Sequence, residues 1–477
     1  MMLYPVKIHI FTWLFLVQFV ITLGGTEDNE VTVCHLPTKL IEEINSYSGL
    51  VQSILNETIS GSFKGVTWQE LADFVDKFGP RLAGTEVLER SIDYVLNKSS
   101  DFGLENVHGE PVPVPHWVRG QESATLLKPR RKSIALLGLG YSVGTPPEGI
   151  TREAIVVNSF KELEERKHDV PGKIVVFNEE YISYGETVQY RSKGATEASK
   201  HGAVAALIRS VAPYSLYTPH TGMQSYAANV TKIPVACITA EDASLLRRLS
   251  NKGETIEINL QMQAKTLPDK ISRNVVAEIA GSEMPEKVVV VSGHVDSWDV
   301  GQGAMDDGGG AFISWQALRL LKQLNYRPRR TIRMIMWTAE EVGLIGAQHY
   351  INSHKSEEKN LQFVMESDMG TFMPLGLEFT GTEDVKCVLE MIMKLLSPMG
   401  QMKLRSPSAG PDISLWVNAG VPGASLWTQN EKYFYYHHSN ADSMLVENPG
   451  ALDRGTALFA AVSYVLADLS VDLPRHK

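Results

Sequence analysis

The sequence predicts an α/β fold in which helices cover both faces of a mostly parallel mixed sheet, with a β-rich domain inserted into it. After residue 270, short apolar and β-branched runs alternate with segments of helical periodicity, the pattern of a parallel sheet covered on both sides. Between residues 133 and 265, strand-like runs instead follow one another between glycine, proline and charged residues. Hydrophobic residues make up 43% of the chain and charged residues 21%, as in globular proteins.

The N-terminus has the pattern of a secretory signal peptide. Lys7 precedes an apolar run at residues 8–23, and two glycines follow. A signal anchor is the alternative, but the run is shorter than the ~20 residues that a membrane-spanning helix needs. We therefore predict a signal peptide at residues 1–24 and no transmembrane span in the mature chain. Residues 25–48 are a candidate pro-segment of a zymogen, with an ordered N-terminal arm as the alternative.

Three sequons for N-linked glycosylation also indicate secretion. They lie at Asn56, Asn97 and Asn229. We expect a glycoprotein that passes through the endoplasmic reticulum and Golgi and is secreted to the extracellular space, with a lysosomal pool as an alternative destination.

Charge and cysteine content exclude several classes of protein. The formal net charge of -10 argues against a nucleic-acid partner, because such binding relies on basic residues that neutralise phosphates. The three cysteines are too few and too far apart for a disulfide scaffold, and they form no CxxC metal pair. Any metal must therefore be held by histidine, aspartate and glutamate.

The helix and strand patterns suggest two domains. Apolar residues at helical spacing predict two helices within residues 66–96, joined by the turn-rich segment FGPRLAGT at 78–85. We assign residues 49–132 to the first part of the main domain, 133–265 to the inserted domain and 266–477 to the rest of the main domain. The main-domain strands after the insert are predicted at residues 287–294, 331–338, 361–368 and 420–429.

Acidic and histidine side chains follow these strands at their carboxyl ends. In open α/β sheets ligands collect beyond those ends, so the side chains should meet in one crevice. Several carboxylates in one crevice repel one another unless a cation neutralises them. The candidate residues are His294, Asp306, Glu340, Glu341, Asp368 and His438.

The types of side chain suit zinc, which accepts histidine nitrogen and carboxylate oxygen. A second metal could share a bridging carboxylate. Asp306 is the natural bridge, since the small residues of GQGAMDDGGG around it let the backbone approach closely. Asp307 could ligate in its place, and the spacing leaves this choice open.

The roles of three further acids are partly open. Asp296 lies two positions after His294, so its carboxylate could orient the imidazole behind the metal. Of Glu340 and Glu341, one could bind metal while the other acts as a base, and the pattern does not say which. Other histidines, His201, His220, His349 and His354, lack acidic neighbours at ligand spacing and are assigned ordinary structural roles.

The order HxD, DDG, EE, D and H over residues 288–442 resembles the co-catalytic di-zinc exopeptidases, the family of bacterial leucyl aminopeptidase and the glutamate carboxypeptidases. The segment FGPRLAGT, the chain length and the insert, which is similar to a protease-associated domain, extend the resemblance over nearly the whole chain after the signal. It implies a zinc-exopeptidase fold, a catalytic main domain, a homodimer and two Zn²⁺ ions.

The resemblance also implies roles that spacing leaves open. Glu340 would be the general base, and the peptide bond between Asp306 and Asp307 would be cis. The residue before the last ligand is often tyrosine in relatives but is His437 here, so the oxyanion donor is unassigned. By resemblance, one zinc is held by His294 and Asp368, the other by Glu341 and His438, and Asp306 bridges them.

These observations predict a hydrolase: a secreted zinc-dependent exopeptidase, a metalloprotease of the carboxypeptidase or dipeptidase type. It would cleave the peptide bond of unblocked dipeptides or small peptides with a water that bridges the metals. The alternative is a secreted, metal-stabilised binding or receptor-like module without hydrolytic activity. A structural metal site would have no need of Glu340, which favours the enzyme.

Overall fold

The computed structural model describes residues 34–408 and 410–476. The predicted signal peptide and the first part of the candidate pro-segment, up to residue 33, lie outside the described residues.

Helices make up much of the described chain. In chain order they are α1 (Thr38–Ser46), α2 (Ser48–Ile59), α3 (Val66–Phe78), α4 (Glu86–Asp101), α5 (Phe160–Glu165), α6 (Tyr184–Lys200), α7 (Ala240–Asn251), α8 (Gly309–Gln323), α9 (Ile345–Ser353), α10 (Glu383–Leu395), α11 (Ser414–Asn418), α12 (Tyr433–Tyr436) and α13 (Pro449–Asp468).

The strands of the same residues form two sheets. In chain order they are β1 (Glu105–Val118), β2 (Glu122–Lys128), β3 (Lys132–Ile134), β4 (Leu136–Gly138), β5 (Ile150–Val157), β6 (Ile174–Phe177), β7 (Ala205–Arg209), β8 (Val235–Ile238), β9 (Glu257–Met262), β10 (Lys265–Ile279), β11 (Met284–His294), β12 (Arg330–Trp337), β13 (Leu361–Glu366), β14 (Pro374–Thr380), β15 (Lys403–Arg405) and β16 (Gly423–Thr428).

The N-terminal helices pack into the main domain. The candidate pro-segment contains α1, whose Leu40 and Ile44 are buried, so this part of it belongs to the core. The two helices predicted within residues 66–96 are confirmed as α3 and α4. The hydroxyl of Thr85 caps α4 by accepting a hydrogen bond from the main-chain N–H of Leu88 at 3.3 Å.

The main sheet has the strand order β1-β10-β12-β11-β13-β16-β14-β15. Its central neighbours are parallel: β11 pairs with β12 and with β13, and β13 pairs with β16. Antiparallel pairs, β1 with β10, β10 with β12 and β14 with β16, flank this centre. The predicted mostly parallel mixed sheet is therefore confirmed, and its central pairs are the parallel ones.

Helices bury both faces of the main sheet. Alternate residues of β11 point to opposite sides, so Val289 and Val291 lie in the core under α8 and α13. Val288 and Val290 lie in the opposite core, beside Trp337 and the helix α9. Because both faces are covered, a continuous valine run is favoured over an alternating one. Each fully buried valine stabilises the fold by roughly 1.5–3 kcal/mol.

The second sheet has the order β3-β2-β9-β5-β6-β7-β8-β4, with parallel neighbours from β5 to β8. It has its own buried cores, with Val156 and Val176 on one face and Val157 and Val175 on the other. Its first strand begins at Glu122, before the predicted boundary at residue 133. We call residues 122–262, which contain all strands of this sheet, the insert.

Several features bear on the predicted secretion. Asn56, Asn97 and Asn229 are all exposed to solvent. Cys34 and Cys387 are each disulfide-bonded, whereas Cys237 is a buried free thiol. Within residues 34–408 and 410–476, each helix is too short or too polar to traverse a bilayer.

Candidate metal centre

The predicted ligands meet at the carboxyl edge of the parallel strands. β11 ends at His294, β12 leads into Glu340 and Glu341, and β13 leads into Asp368. His438 approaches from the loop that follows β16 and the short helix α12. The parallel register places the strand ends side by side, which brings residues that are distant in sequence into contact.

One ligand group is centred on the fully buried His294. Its Nε2 lies 3.2 Å from Oδ1 of Asp368 and 3.4 Å from Oδ1 of Asp306. Its Nδ1 lies 2.9 Å from the main-chain oxygen of Asp296 and donates to it, which leaves Nε2 facing the carboxylates. The nitrogen and the two carboxylate oxygens are close enough to share one metal ion.

The carboxylate of Asp306 lies between two histidines. Its Oδ1 is 3.4 Å from Nε2 of His294, and its Oδ2 is 3.4 Å from Nε2 of His438. Oδ2 is buried and accepts no hydrogen bond. A buried carboxylate oxygen without a donor is costly, so an oxygen in this position is suited to a cation.

The peptide bond between Asp306 and Asp307 is cis, as the family resemblance implied. The carboxylate of Asp307 has a different environment from that of Asp306. Its Oδ2 accepts a hydrogen bond from the main-chain N–H of His294 at 3.0 Å. Its Oδ1 accepts one from the N–H of Gly310 at 3.1 Å. Both oxygens of Asp307 are therefore engaged with the backbone, whereas those of Asp306 face the histidines.

The adjacent glutamates approach different histidines. Oε2 of Glu341 lies 2.9 Å from Nε2 of His438. Oε2 of Glu340 lies 3.8 Å from Nε2 of His294. The main-chain N–H of Glu340 donates to Oδ1 of Asp296 at 3.1 Å, so the Asp296 carboxylate holds the glutamate segment. That carboxylate is 3.7 Å from Nδ1 of His294, farther than the Asp296 carbonyl.

The crowded carboxylates strongly disfavour ionisation in the absence of a cation. Burial raises the pKa of Glu340 and of Glu341 well above the usual value, and the neighbouring carboxylates Asp368 and Asp306 raise it further. Burial alone would lower the pKa of His294, but these carboxylates hold it well above its usual value. A divalent cation would reverse these shifts, because positive charge favours ionised carboxylates and neutral imidazole.

His438 is buried in a setting that favours the neutral imidazole. Burial lowers its pKa well below the usual value, and the ring of His437, stacked at 3.5 Å between centroids, lowers it further. Burial also lowers the pKa of His437, to about 3. Its Nε2 lies 3.8 Å from Oδ2 of Asp306, and these two residues with His438 form a second group that could hold a metal ion. Glu341 contacts His438 more closely, at 2.9 Å.

Sequence reasoning missed Asp442, which shapes the glycine-rich loop. Its carboxylate accepts hydrogen bonds from the main-chain N–H groups of Ala304, Met305 and Asp306 at 3.0, 2.8 and 3.2 Å. Burial raises the pKa of this carboxyl to about 7. Asp442 follows the predicted ligand His438 closely in the sequence, but only the tertiary contacts distinguish it from a surface acid.

Arg81 was also missed, although it lies within the segment FGPRLAGT. The guanidinium is completely buried and donates to the main-chain oxygens of Val295, Gln302 and Gly303 at 2.8, 2.7 and 2.8 Å. These carbonyls lie at both ends of the loop that joins His294 to Asp306. Arg81 therefore holds the two ends of this loop together.

Tyr433 is the aromatic residue of α12 that reaches the centre. Its side chain is buried, and its hydroxyl lies 3.5 Å from the main-chain oxygen of Asp368. Burial raises the pKa of the phenol well above 10, and the charges of Asp306 and Asp368 add to this effect. The phenol is therefore a neutral hydrogen-bond donor beside the candidate ligands.

Comparison with known proteins shows the family of the chain. The model of peptidase family M28 matches residues 274–463. Carboxypeptidase Q of Homo sapiens is 53% identical over 434 residues, which cover 91% of this chain and 92% of the relative. The chain belongs to peptidase family M28. The resemblance predicted from the order of the ligands is thereby confirmed, as are the metallo-exopeptidase class and the dependence on zinc.

Two solved structures are similar in fold to this chain. A peptidase M28 precursor from Shewanella amazonensis SB2B has a TM-score of 0.86 and 30% identity, covering 91% of this chain and 100% of that chain. A zinc aminopeptidase from Bacillus subtilis has a TM-score of 0.64 at 22% identity, covering 86% of this chain and 99% of its own, and it shares the fold.

Proposed function

We propose that this M28 peptidase holds two zinc ions and hydrolyses the peptide bond of unblocked dipeptides or small peptides, as a carboxypeptidase or dipeptidase. The observation that carries the proposal is the position of Asp306, whose two oxygens each lie 3.4 Å from a different histidine nitrogen. The two histidines fall in separate groups of candidate ligand atoms, and Asp306 belongs to both groups. The paired arrangement supports two ions that share one carboxylate.

The donor set fits zinc at both positions. In the proposal, His294 and Asp368 hold one ion, Glu341 and His438 hold the other, and Asp306 bridges them. All donors are imidazole nitrogens or carboxylate oxygens, which zinc accepts. The buried Oδ2 of Asp306 accepts no hydrogen bond, and a cation at this position would compensate its burial.

Glu340 is the proposed general base. Zinc, when bound, supplies Lewis acidity that lowers the pKa of a nearby water and polarises the peptide carbonyl. Glu340 accepts the proton of the attacking water at its carboxylate and then delivers it to the departing amine nitrogen. The side chain is 16% exposed, in contrast to the fully buried His294, so it can contact both a substrate and the ligand group.

The phenol of Tyr433 is the proposed donor to the oxyanion that develops on the substrate carbonyl. It is a neutral donor beside Asp306 and Asp368, which suits a developing negative charge in a buried site. Asp296 has a supporting role: it orients His294 through its carbonyl and Glu340 through its carboxylate.

The relatives bear on the substrate, and the N-terminal pattern and the sequons bear on the location of the enzyme. The name carboxypeptidase Q, borne by relatives 51–53% identical to this chain, supports cleavage next to a free carboxyl terminus. We propose that residues 1–24 direct the chain into the secretory pathway, that the exposed sequons at Asn56, Asn97 and Asn229 are glycosylated there, and that the mature enzyme is a secreted homodimer with an inserted domain near residues 133–265.

Two substitutions test the roles in the centre. Glu340→Gln should retain two zinc ions per chain but lower kcat for dipeptide hydrolysis by roughly 10²–10⁴-fold, because the amide cannot accept the proton. His438→Ala should instead lower the zinc content. Glu383→Gln, at an exposed position of α10, is the matched control and should leave both properties unchanged.

The assay is a dipeptide library with free or blocked termini, with and without chelator, combined with elemental analysis of zinc. A Glu340→Gln variant with near-normal turnover would refute the base. Stoichiometric zinc without hydrolysis of any peptide would instead favour the metal-stabilised binding module.

A further inference from the structure

A short segment of the insert, His220 and Thr221, lies against the loop that carries His438. The main-chain N–H of Thr221 donates to the carbonyl of His438 at 2.8 Å, and Nδ1 of His438 lies 3.3 Å from the carbonyl of Thr221. Nδ1 of His220 donates to the carbonyl of His437 at 2.6 Å. Three hydrogen bonds thus connect the two segments.

The backbone at His438 needs such support. Its φ is +59°, in the left-handed region that only a few per cent of residues other than glycine adopt. A residue with a side chain keeps this backbone conformation only where surrounding contacts determine it. The contacts from the insert fix the carbonyls of His437 and His438 and the Nδ1 edge of the His438 ring, which leaves Nε2 turned toward Glu341 and Asp306.

The segment is itself firmly held on the insert side. The main-chain N–H of His220 donates to Oγ of Ser210 at 2.9 Å, and Oγ1 of Thr221 donates to the carbonyl of Gly138 at 2.8 Å. Both His220 and Thr221 are buried. A rigid support of this kind can impose a geometry on the more exposed loop against which it packs.

Arg119 connects the same segment to the glycine-rich loop. Its Nη2 lies 3.3 Å from Oγ1 of Thr221 and 2.5 Å from Oδ1 of Asp299. Asp299 belongs to the loop between His294 and Asp306. Arg119, which precedes the insert in the sequence, therefore links Thr221 of the insert to the loop that leads from His294 to Asp306.

We infer that the His220–Thr221 segment positions His438 as a metal ligand, so that the zinc site formed by Glu341 and His438 is complete only with the insert docked. This inference rests on the proposed function. His220, assigned an ordinary structural role from its spacing, becomes a positioning residue that acts through His437 and His438. Among the described residues, the other site, at His294 and Asp368, has no contact of this kind with the insert, so it should not depend on His220.

The geometry of His220 defines a sharp test. Of the two ring nitrogens, Nδ1 makes a hydrogen bond, whereas Nε2 is buried without a partner. Asparagine places its amide nitrogen near the position of Nδ1, whereas glutamine places it near Nε2. His220→Asn should therefore retain the contact, and His220→Gln and His220→Ala should lose it. His168→Ala, at an exposed position of the insert, is the matched control.

The measurement is zinc affinity by competition with a chromogenic chelator, on the full-length chain, with circular dichroism and melting of the metal-free protein to verify the fold. His220→Ala and His220→Gln should bind one of their two zinc ions roughly 10-fold more weakly, the typical effect of losing a contact behind a ligand. The other ion should be unaffected. His220→Asn and His168→Ala should match the unsubstituted chain.

The outcomes separate the inference from the proposed function. An unsubstituted chain that binds fewer than two zinc ions would overturn both. Two ions bound with equal affinity in all folded variants would overturn the positioning role alone. If His220→Ala does not fold, the comparison of asparagine with glutamine decides: equal affinities reject the role, and weaker binding in His220→Gln alone supports it.

Discussion

Replacing Arg81 by lysine should loosen the loop that carries Asp306. The guanidinium donates to four main-chain oxygens, those of Gly79, Val295, Gln302 and Gly303, at 2.7–3.0 Å. A lysine keeps the positive charge but has one ammonium nitrogen, which cannot reach carbonyls placed around a planar fork.

The expected cost follows from the carbonyls left without a donor. If lysine satisfies two of the four oxygens, two buried carbonyls remain unpaired, at about 1–3 kcal/mol each. The free energy of unfolding of Arg81→Lys should therefore fall by about 2–6 kcal/mol. The loss should affect metal binding as well, because the released loop contains Asp306.

Urea denaturation of the metal-free protein measures the stability, and elemental analysis measures the zinc content. Arg90→Lys is the matched control, since Arg90 lies on the exposed side of α4. It should change neither quantity. Surface substitutions ordinarily change the free energy of unfolding by no more than about 0.5 kcal/mol. If Arg81→Lys stays within that range of the unsubstituted chain and retains its zinc, Arg81 does not stabilise the loop.

Three further substitutions test the surroundings of the centre. Burial raises the pKa of Glu447 from 4.5 to about 8, so between these values the carboxyl is protonated in the folded chain and ionised in the unfolded chain. The stability that this carboxyl contributes is therefore fully present below pH 4.5 and is lost as the pH rises through 8. Glu447→Gln should gain stability over the unsubstituted chain between pH 5 and 8, by up to ~1.4 kcal/mol per pH unit in urea denaturation; a difference independent of pH would contradict the burial argument. Asp442→Asn replaces an acceptor of three main-chain N–H groups by a group that is half donor, so zinc content should fall, and full retention would reject its role. Gly310→Ala would press a Cβ against the carbonyl of Ser367 and should lower the free energy of unfolding by about 1–3 kcal/mol, whereas Gly49→Ala, which meets no atom within 4 Å, should not; equal effects would refute the packing argument.

Local patterns in the sequence determined the strands and the residues at their ends. The valine run 288–291 and the run 331–338 are continuous rather than alternating, and this reflects burial on both faces of a parallel sheet. Such a sheet places its ligands at the carboxyl ends, so His294 and Asp368 could be selected without coordinates. The boundary of the insert was harder to predict, because the composition of the sequence does not change at Glu122, where the first strand of the second sheet begins.

Only the tertiary structure decided how these side chains divide their contacts. Asp306 and Asp307 have the same chemistry and adjacent positions, yet main-chain N–H groups engage the second and leave the first facing two histidines. Arg81 and His220 act on loops more than 200 residues away in the chain. Periodicity describes neighbours along the chain, whereas hydrogen bonds of this kind depend on where distant segments meet, and the packing of the two sheets sets those meeting points.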